Sequence, residues 1–213
     1  MADYMKKSLA RSLFKLPVDS QLVLLSYLEN KIEHFRFFSY GSNMNKEKFA
    51  NDMQISATNL GLSISSKNKS KLELDPQAVK RTLLDFRREL SNESQKGRAF
   101  SIYPSENEKV EGICHEVDIL VLPAFLKKEG LLNRNQPSYK LITVHVLEEE
   151  QEVLTLIGLK PRPIKHLKGC QIGRTLDYVS QSIKGAKDFS VYHEDMINVQ
   201  TFLNKMRNST QDN

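Results

Sequence analysis

The sequence predicts an α+β protein with a small, mixed and mainly antiparallel curved sheet, or a barrel, and flanking helices. Two observations lead to this class. Short apolar segments of strand length dominate residues 81–158, and helical periodicity dominates the chain from Cys170 onwards. The regular alternation of strands and helices that marks a doubly wound parallel sheet does not occur. Strands first and helices last is the α+β arrangement.

Length and composition predict one domain of ordinary size. The chain has 213 residues, 39% of them hydrophobic, and 31 Lys and Arg against 26 Asp and Glu give a net charge of +5. The positive excess is spread along the chain without a nucleic-acid motif, so we expect attraction for small anions and no nucleic-acid partner. No segment approaches the ~20 apolar residues of a membrane span, and the N-terminus lacks a signal-peptide core. We expect a soluble, cytoplasmic protein.

The sequence shows no pattern for a metal or a cofactor. Cys114 and Cys170 have no partner at metal-ligand or redox spacing, and we expect both to be buried in a reducing compartment. None of the five histidines lies in a recognisable catalytic triad, and His-Glu-x-x-His and phosphate-loop motifs do not occur. We therefore expect a cofactor-free protein.

The N-terminal segment, residues 1–34, is predicted to be a helical extension. Asp19 can cap a helix, and the apolar residues after it recur at roughly helical spacing, namely Leu22, Leu24, Leu25, Leu28 and Ile32. This helix packs on the main domain or on a second subunit. Such an apolar stripe more often covers the core of its own domain. The sequence leaves undecided whether the helix instead packs on a second subunit in a homodimer.

The elements that follow are assigned from length and periodicity. We predict strands at 35–40, 81–88, 98–104, 110–120, 138–147 and 152–158. A short helix is predicted at 45–53 and another at 120–130, where Gly130 ends it. Residues 56–72 are predicted to be a loop, and helices are predicted after Cys170, followed by a fraying tail.

A strand-to-helix turn, Tyr40-Gly41-Ser42-Asn43, is the first candidate site. Glycine adopts backbone angles that other residues resist, and Ser42 and Asn43 suit a helix N-cap. Such a turn can point several N–H groups and the positive end of a helix at an anion or a developing oxyanion. The same residues also favour ordinary turns, so the turn alone does not decide between the two uses.

Several segments together resemble the gamma-glutamyl cyclotransferase-like superfamily, which includes AIG2-like proteins. FFSYGSNMN resembles its Tyr-Gly-Ser-Asn signature, LLDFRREL and GRAFSIYPSENEKVEGICHEV resemble the strand and hairpin that follow, and LKKEG and SYKLITVHV resemble its Glu-Gly helix end and next strand. The resemblance covers residues 35–185 and leaves 1–34 and a C-terminal helix with a frayed tail, 186–213, outside. Pro123 after Leu122, where the family often has Leu-Asp, and a longer 130–139 loop are departures.

The resemblance implies a reaction in which the α-amine of a small gamma-glutamyl compound attacks its own γ-carbonyl and gives 5-oxoproline and a free amine. It implies Glu129 as the general base, a role that calls for partial burial. Apolar neighbours that could bury it are Phe125, Leu126, Leu131 and Leu132. The substrate cradle would be the turn, comprising Tyr40, Gly41, Ser42, Asn43 and Met44. Tyr139 either adds a hydroxyl to the site or packs at a strand start.

A second interpretation is a non-catalytic module that keeps the fold and binds a gamma-glutamyl-like ligand or a protein. Glu129 favours the enzyme, because a binding module has no need of a base. The sequence leaves open the group attached to the gamma-glutamyl moiety, the oligomeric state, the role of the N-terminal extension and the pathway. If Glu129 faces the same cavity as the turn, the enzyme interpretation gains support.

Overall fold

The computed structural model describes residues 9–29, 34–59, 80–94, 97–132, 137–146 and 152–211. The strands in these ranges are β1 (His34–Ser39), β2 (Lys80–Leu84), β3 (Phe86–Ser94), β4 (Gly97–Pro104), β5 (Val110–Asp118), β6 (Tyr139–His145) and β7 (Glu152–Gly158). After a short helical stretch at 9–13, the helices are α1 (Val18–Leu28), α2 (Lys46–Asn59), α3 (Leu122–Lys128), α4 (Gly169–Asp188) and α5 (Glu194–Gln211). This order confirms the predicted α+β class.

Two sheets carry the fold. The larger has the order β2-β5-β1-β7-β6, in which β1 and β7 run parallel and the other neighbours run antiparallel. The smaller is the antiparallel hairpin of β3 and β4. Neither sheet closes into a barrel within the described residues, so the open sheet is the correct one of the two predicted forms.

The segment predicted as one strand at 81–88 is two strands in two different sheets. The chain bends at Asp85, so that Leu84 pairs with Val110 in the larger sheet and Phe86 pairs with Pro104 in the hairpin. Alternation of apolar residues continues through this bend, which is why periodicity could not reveal it. The predicted loop at 56–72 begins inside α2, and its part from residue 60 lies outside the described residues.

Strand β1 lies between two apolar clusters. Phe35 and Phe37 pack in one cluster with side chains from α1, α2 and α3. Phe38 and Tyr40 pack in the other, with the β3–β4 hairpin and helices α4 and α5. Successive side chains of a strand point to opposite faces, so β1 is buried on both. The end of β1 is therefore enclosed by both halves of the core.

The N-terminal helix α1 packs on β6, where the Ser20 hydroxyl accepts a 3.2 Å hydrogen bond from the backbone N–H of Leu141. Leu24 is fully buried, whereas Leu22 and Leu25 of the same predicted stripe are 62% and 46% exposed. At the other end of the chain, α4 continues to Asp188, past the domain limit drawn at residue 185.

The cysteines differ in exposure. Cys114 is buried in β5, as expected, but Cys170 is exposed in the first turn of α4, so the prediction that both are buried is wrong for Cys170. A lone cysteine near the start of an amphipathic helix can lie on either face, and here it lies on the polar one.

As for membrane insertion, the helices within the described residues are all too short or too polar to cross a bilayer.

Candidate active site

A cavity of about 250 Å³ opens at the C-terminal end of β1. Its walls come from β1 and the turn after it, from α2, from the end of α3, from strands β4, β6 and β7, and from α4. The lining residues are Phe37, Ser39, Tyr40, Gly41, Ser42, Asn43, Lys48, Asp52, Phe100, Lys128, Glu129, Tyr139, Leu156 and Tyr178. The cavity therefore brings together six of the seven residues predicted for the site, all except Met44.

Met44 lies in the core beneath the turn. Its side chain is fully buried in the cluster that also holds Tyr40, and its backbone N–H donates a 2.9 Å hydrogen bond to the carbonyl of Gly41. Residues Ser42–Met44 form a single 3-10 turn. Helix α2 is capped by Asn45, whose side-chain oxygen accepts from the N–H of Lys48 at 3.0 Å, and not by Ser42 or Asn43 as expected.

Gly41 is required by a close approach. Its φ of −137° lies outside the left-handed region, so a positive φ is not the reason for glycine here. A Cβ at this position would stand 2.5 Å from the hydroxyl oxygen of Tyr178, a distance that side chains do not adopt. The absence of a side chain therefore allows the Tyr178 hydroxyl to lie directly against the turn.

Tyr178, on α4, joins the turn to the hairpin. Its hydroxyl accepts a 3.1 Å hydrogen bond from the N–H of Phe100. Burial raises the pKa of Tyr178 to about 12. Tyr178 is therefore a neutral phenol that links α4 to β4 beside the turn.

Glu129 lies in a closed triangle of polar side chains. Its Oε1 accepts hydrogen bonds from Lys128 Nζ at 2.6 Å and from Asn43 Nδ2 at 2.9 Å, and Lys128 Nζ also donates to Asn43 Oδ1 at 2.6 Å. The side chains of Lys128 and Glu129 are only 8% and 10% exposed. Within the described residues no group donates to Oε2. One carboxylate oxygen of this cavity-lining residue is therefore anchored, and the other has no donor among the described residues.

The local sequence explains this placement. Helix α3 ends at Lys128, and Gly130 has a φ of +69°, a conformation that glycine adopts readily, so the predicted helix end is confirmed. Phe125, Leu126 and Leu131 of the same segment are fully buried, and the Glu129 side chain is itself 10% exposed, so the expected partial burial of Glu129 is present. The Lys128 ammonium also lies 4.9 Å from the ring centroid of Phe49.

The imidazole ring of His115 contacts the backbone of Asn43. Its ring stacks on Phe49 at 5.1 Å, and its Nε2 lies 3.1 Å from the backbone carbonyl of Asn43, so the tautomer that makes this bond carries the proton on Nε2. Burial lowers the pKa of His115 to about 3. The ring is therefore neutral and positions the turn.

The two predicted tyrosines both line the cavity. The Tyr40 hydroxyl donates a 2.6 Å hydrogen bond to the carbonyl of Leu156. Burial raises the pKa of both tyrosines, and the nearby Glu129 charge adds to the effect. Both phenols therefore stay neutral and form part of the cavity wall.

Arg88 of β3 connects the C-terminal helix α5 to the turn that follows β1. The guanidinium is 3% exposed and makes a bidentate pair with Asp195 of α5, at 2.8 and 2.7 Å. Its Nη1 donates to the carbonyl of Tyr40 at 3.1 Å. The residues at the start of α5 thus help to fix the start of the turn.

Sequence reasoning missed the other cavity side chains. Lys128 stands next to Glu129 in LKKEG, so the charge pair could have been found from the motif. Lys48 and Asp52 form an ion pair one helical turn apart on α2 and line the cavity with about a third of each side chain exposed. The sequence around Tyr178 contains no motif that marks this tyrosine as a site residue. Among the described residues no group of three or more potential ligands is placed to hold a metal ion.

Comparison with known proteins identifies the fold. No family model and no curated protein matches the chain. Among solved structures, YkqA from Bacillus subtilis superposes with a TM-score of 0.54 at 16% identity over 85% of this chain, and a gamma-glutamyl cyclotransferase superposes with a TM-score of 0.50 at 19% identity over 79% of it. The chain has the gamma-glutamyl cyclotransferase-like fold.

The lengths of these relatives differ. The chain covers 58% of YkqA and 87% of the gamma-glutamyl cyclotransferase. At such identities the similarity concerns the fold, and the chemistry has to be argued from the cavity.

Proposed function

We propose that this protein is a gamma-glutamyl cyclotransferase-like enzyme, in which the α-amine of a gamma-glutamyl compound attacks the γ-carbonyl carbon. A carbon–nitrogen bond to the α-amine forms, the bond to the leaving nitrogen breaks, and 5-oxoproline and a free amine or amino acid result. The observation that carries the proposal is that Glu129 and the Tyr40–Asn43 turn line one cavity.

Glu129 acts as the general base. Its Oε2, which receives no hydrogen bond from the described residues, takes the proton from the attacking amine and returns it to the departing nitrogen. A positioned acid–base group of this kind contributes ~10² to 10⁴ in rate. The bonds from Asn43 and Lys128 to Oε1 hold the carboxylate in one orientation while Oε2 exchanges the proton.

The cavity supplies the second requirement, which is to fold the substrate back on itself. Bringing an amine and a carbonyl of one molecule into contact removes an entropic barrier, and such orientation effects are large. At about 250 Å³ the cavity is smaller than the 300–1,000 Å³ typical of drug-sized ligands. It therefore suits the gamma-glutamyl portion of a small substrate, with the leaving group directed towards the open side.

The test is release of 5-oxoproline from a panel of gamma-glutamyl dipeptides, gamma-glutamyl amines and glutathione. Wild type is compared with Glu129→Gln, which keeps the size of the side chain and an oxygen for Asn43 and Lys128. Glu106→Gln is the matched control, since Glu106 is exposed in the β4–β5 turn. We expect release by wild type and by the control, and a loss of at least ~10² with Glu129→Gln.

Each other result has a definite meaning. Equal release by wild type and Glu129→Gln removes Glu129 from the mechanism. No release from any compound, together with binding of 5-oxoproline or a gamma-glutamyl amine in calorimetry, identifies a non-catalytic binding module on the same fold. Circular dichroism of each variant excludes loss of folding as the cause.

A further inference from the structure

The cavity contains a buried hydroxyl that the protein leaves without a partner. Ser39, the last residue of β1, is 1% exposed and lines the cavity. Its Oγ makes no hydrogen bond to any group among the described residues. The other buried side-chain atom in this state, Nδ1 of His115, belongs to a residue that does not line the cavity.

Comparison with other buried hydroxyls shows that this state is unusual in the protein. Five fully buried serines and threonines among the described residues have bonded hydroxyls: Ser20, Ser101, Thr155, Thr175 and Ser182. Buried polar atoms in native proteins nearly always have a partner, and an exception calls for an explanation such as a ligand. A hydroxyl that faces a cavity can take its partner from whatever fills that cavity.

We propose that the Ser39 hydroxyl is a substrate-binding group that hydrogen-bonds the gamma-glutamyl portion of the substrate. This inference rests on the proposed function. The gamma-glutamyl portion carries an amine, a carboxylate and a carbonyl oxygen, and a serine hydroxyl can both donate and accept. The bond therefore gives a hydrogen-bond partner to a buried polar atom of the protein and to a polar atom of the ligand that binding removes from water.

The position of Ser39 assigns it to the gamma-glutamyl portion and not to the leaving group. Ser39 is 1% exposed and ends the strand that both apolar clusters enclose, so it marks the more closed end of the cavity. Lys48 and Asp52, with about a third of each side chain exposed, mark the more open end. The portion common to all substrates of the reaction occupies the closed end, so the contribution of Ser39 is the same whichever amine is released.

The test compares Ser39→Ala with Ser20→Ala. Removing the Ser39 hydroxyl leaves a ligand atom without its partner, and we expect KM, and the dissociation constant for 5-oxoproline, to rise about tenfold. This factor should be the same for every member of the substrate panel. The melting temperature of Ser39→Ala should equal or exceed that of wild type, because an unpartnered buried hydroxyl has been removed.

Ser20→Ala should show the opposite pattern. It deprives the N–H of Leu141 of its acceptor, so the melting temperature should fall while KM stays that of wild type. Two results would overturn the Ser39 inference and leave the proposed function standing. One is a melting temperature of Ser39→Ala that falls as that of Ser20→Ala does, and the other is a Ser39→Ala variant with the KM and affinity of wild type. A wild type that neither releases nor binds 5-oxoproline overturns the proposed function and this inference with it.

Discussion

The close contact of Gly41 with Tyr178 predicts a double-mutant result that can be worked out from the structure. In Gly41→Ala the new Cβ would stand 2.5 Å from the tyrosine hydroxyl oxygen, about an ångström inside ordinary contact. Overpacking of a buried site costs ~1–3 kcal/mol of the free energy of unfolding. Removing that oxygen with Tyr178→Phe leaves the ring carbon at 3.6 Å, which is ordinary contact.

Tyr178→Phe has a cost of its own, because the N–H of Phe100 loses its acceptor, and this cost is ~1–3 kcal/mol. In the Tyr178→Phe protein, the addition of Gly41→Ala should lower the free energy of unfolding by less than ~0.5 kcal/mol more, because the clashing oxygen is absent. The two substitutions should therefore couple by at least ~0.5 kcal/mol, in the direction that makes the double variant more stable than the sum of the single changes predicts.

Urea unfolding followed by circular dichroism measures all four proteins, with a common m-value as the condition for comparison. Gly173→Ala is the control, since Gly173 lies in α4 with no heavy atom near its Cβ position, and helix propensity predicts a gain of ~0.5–1 kcal/mol. If Gly41→Ala costs the same in the wild-type protein and in Tyr178→Phe, the contact with the hydroxyl is not the reason for glycine at this position.

Two further predictions concern the polar groups beneath the cavity. Lys128→Met removes one of the two hydrogen-bond donors to Oε1 of Glu129, so kcat should fall ~10- to 100-fold, whereas Lys127→Met, at an exposed position next to it, should leave steady-state kinetics unchanged. Burial lowers the pKa of His115 from 6.5 to about 3, so the unfolded chain binds a proton that the folded chain does not. The contribution of His115 to the free energy of unfolding should therefore be constant above pH 6.5 and fall by up to ~4 kcal/mol towards pH 3, so in urea titrations at each pH His115→Gln should show a correspondingly smaller fall than wild type.

The parts of the site that a short motif encodes could be predicted from the sequence. The Tyr40–Asn43 turn and Glu129 each belong to a local pattern, a strand end followed by turn residues and a helix end followed by Gly130. Their common cavity agrees with the resemblance that linked them. Met44 shares the motif but points into the core, because a 3-10 turn directs consecutive side chains to different sides.

The remaining parts depend on contacts between distant segments. Tyr178 reaches the turn only because α4 packs across it, and no pattern within α4 distinguishes this tyrosine from one on an ordinary buried face. The bend at Asp85 likewise follows from the two pairing partners, β5 and β4, and not from a change in the local pattern. Long-range pairing and helix packing are therefore where sequence reasoning reached its limit.

The charges around the cavity restrict the ligand in a way that neither motif does alone. Among the described lining residues, Lys48 pairs with Asp52 and Lys128 pairs with Glu129, so the positive and negative charges balance. The tyrosines in the wall add no charge, since burial raises the pKa of each. A ligand of net charge would leave its charge uncompensated in a partly buried site, which is costly. A head group that carries one ammonium and one carboxylate, as the gamma-glutamyl moiety does, matches this balance.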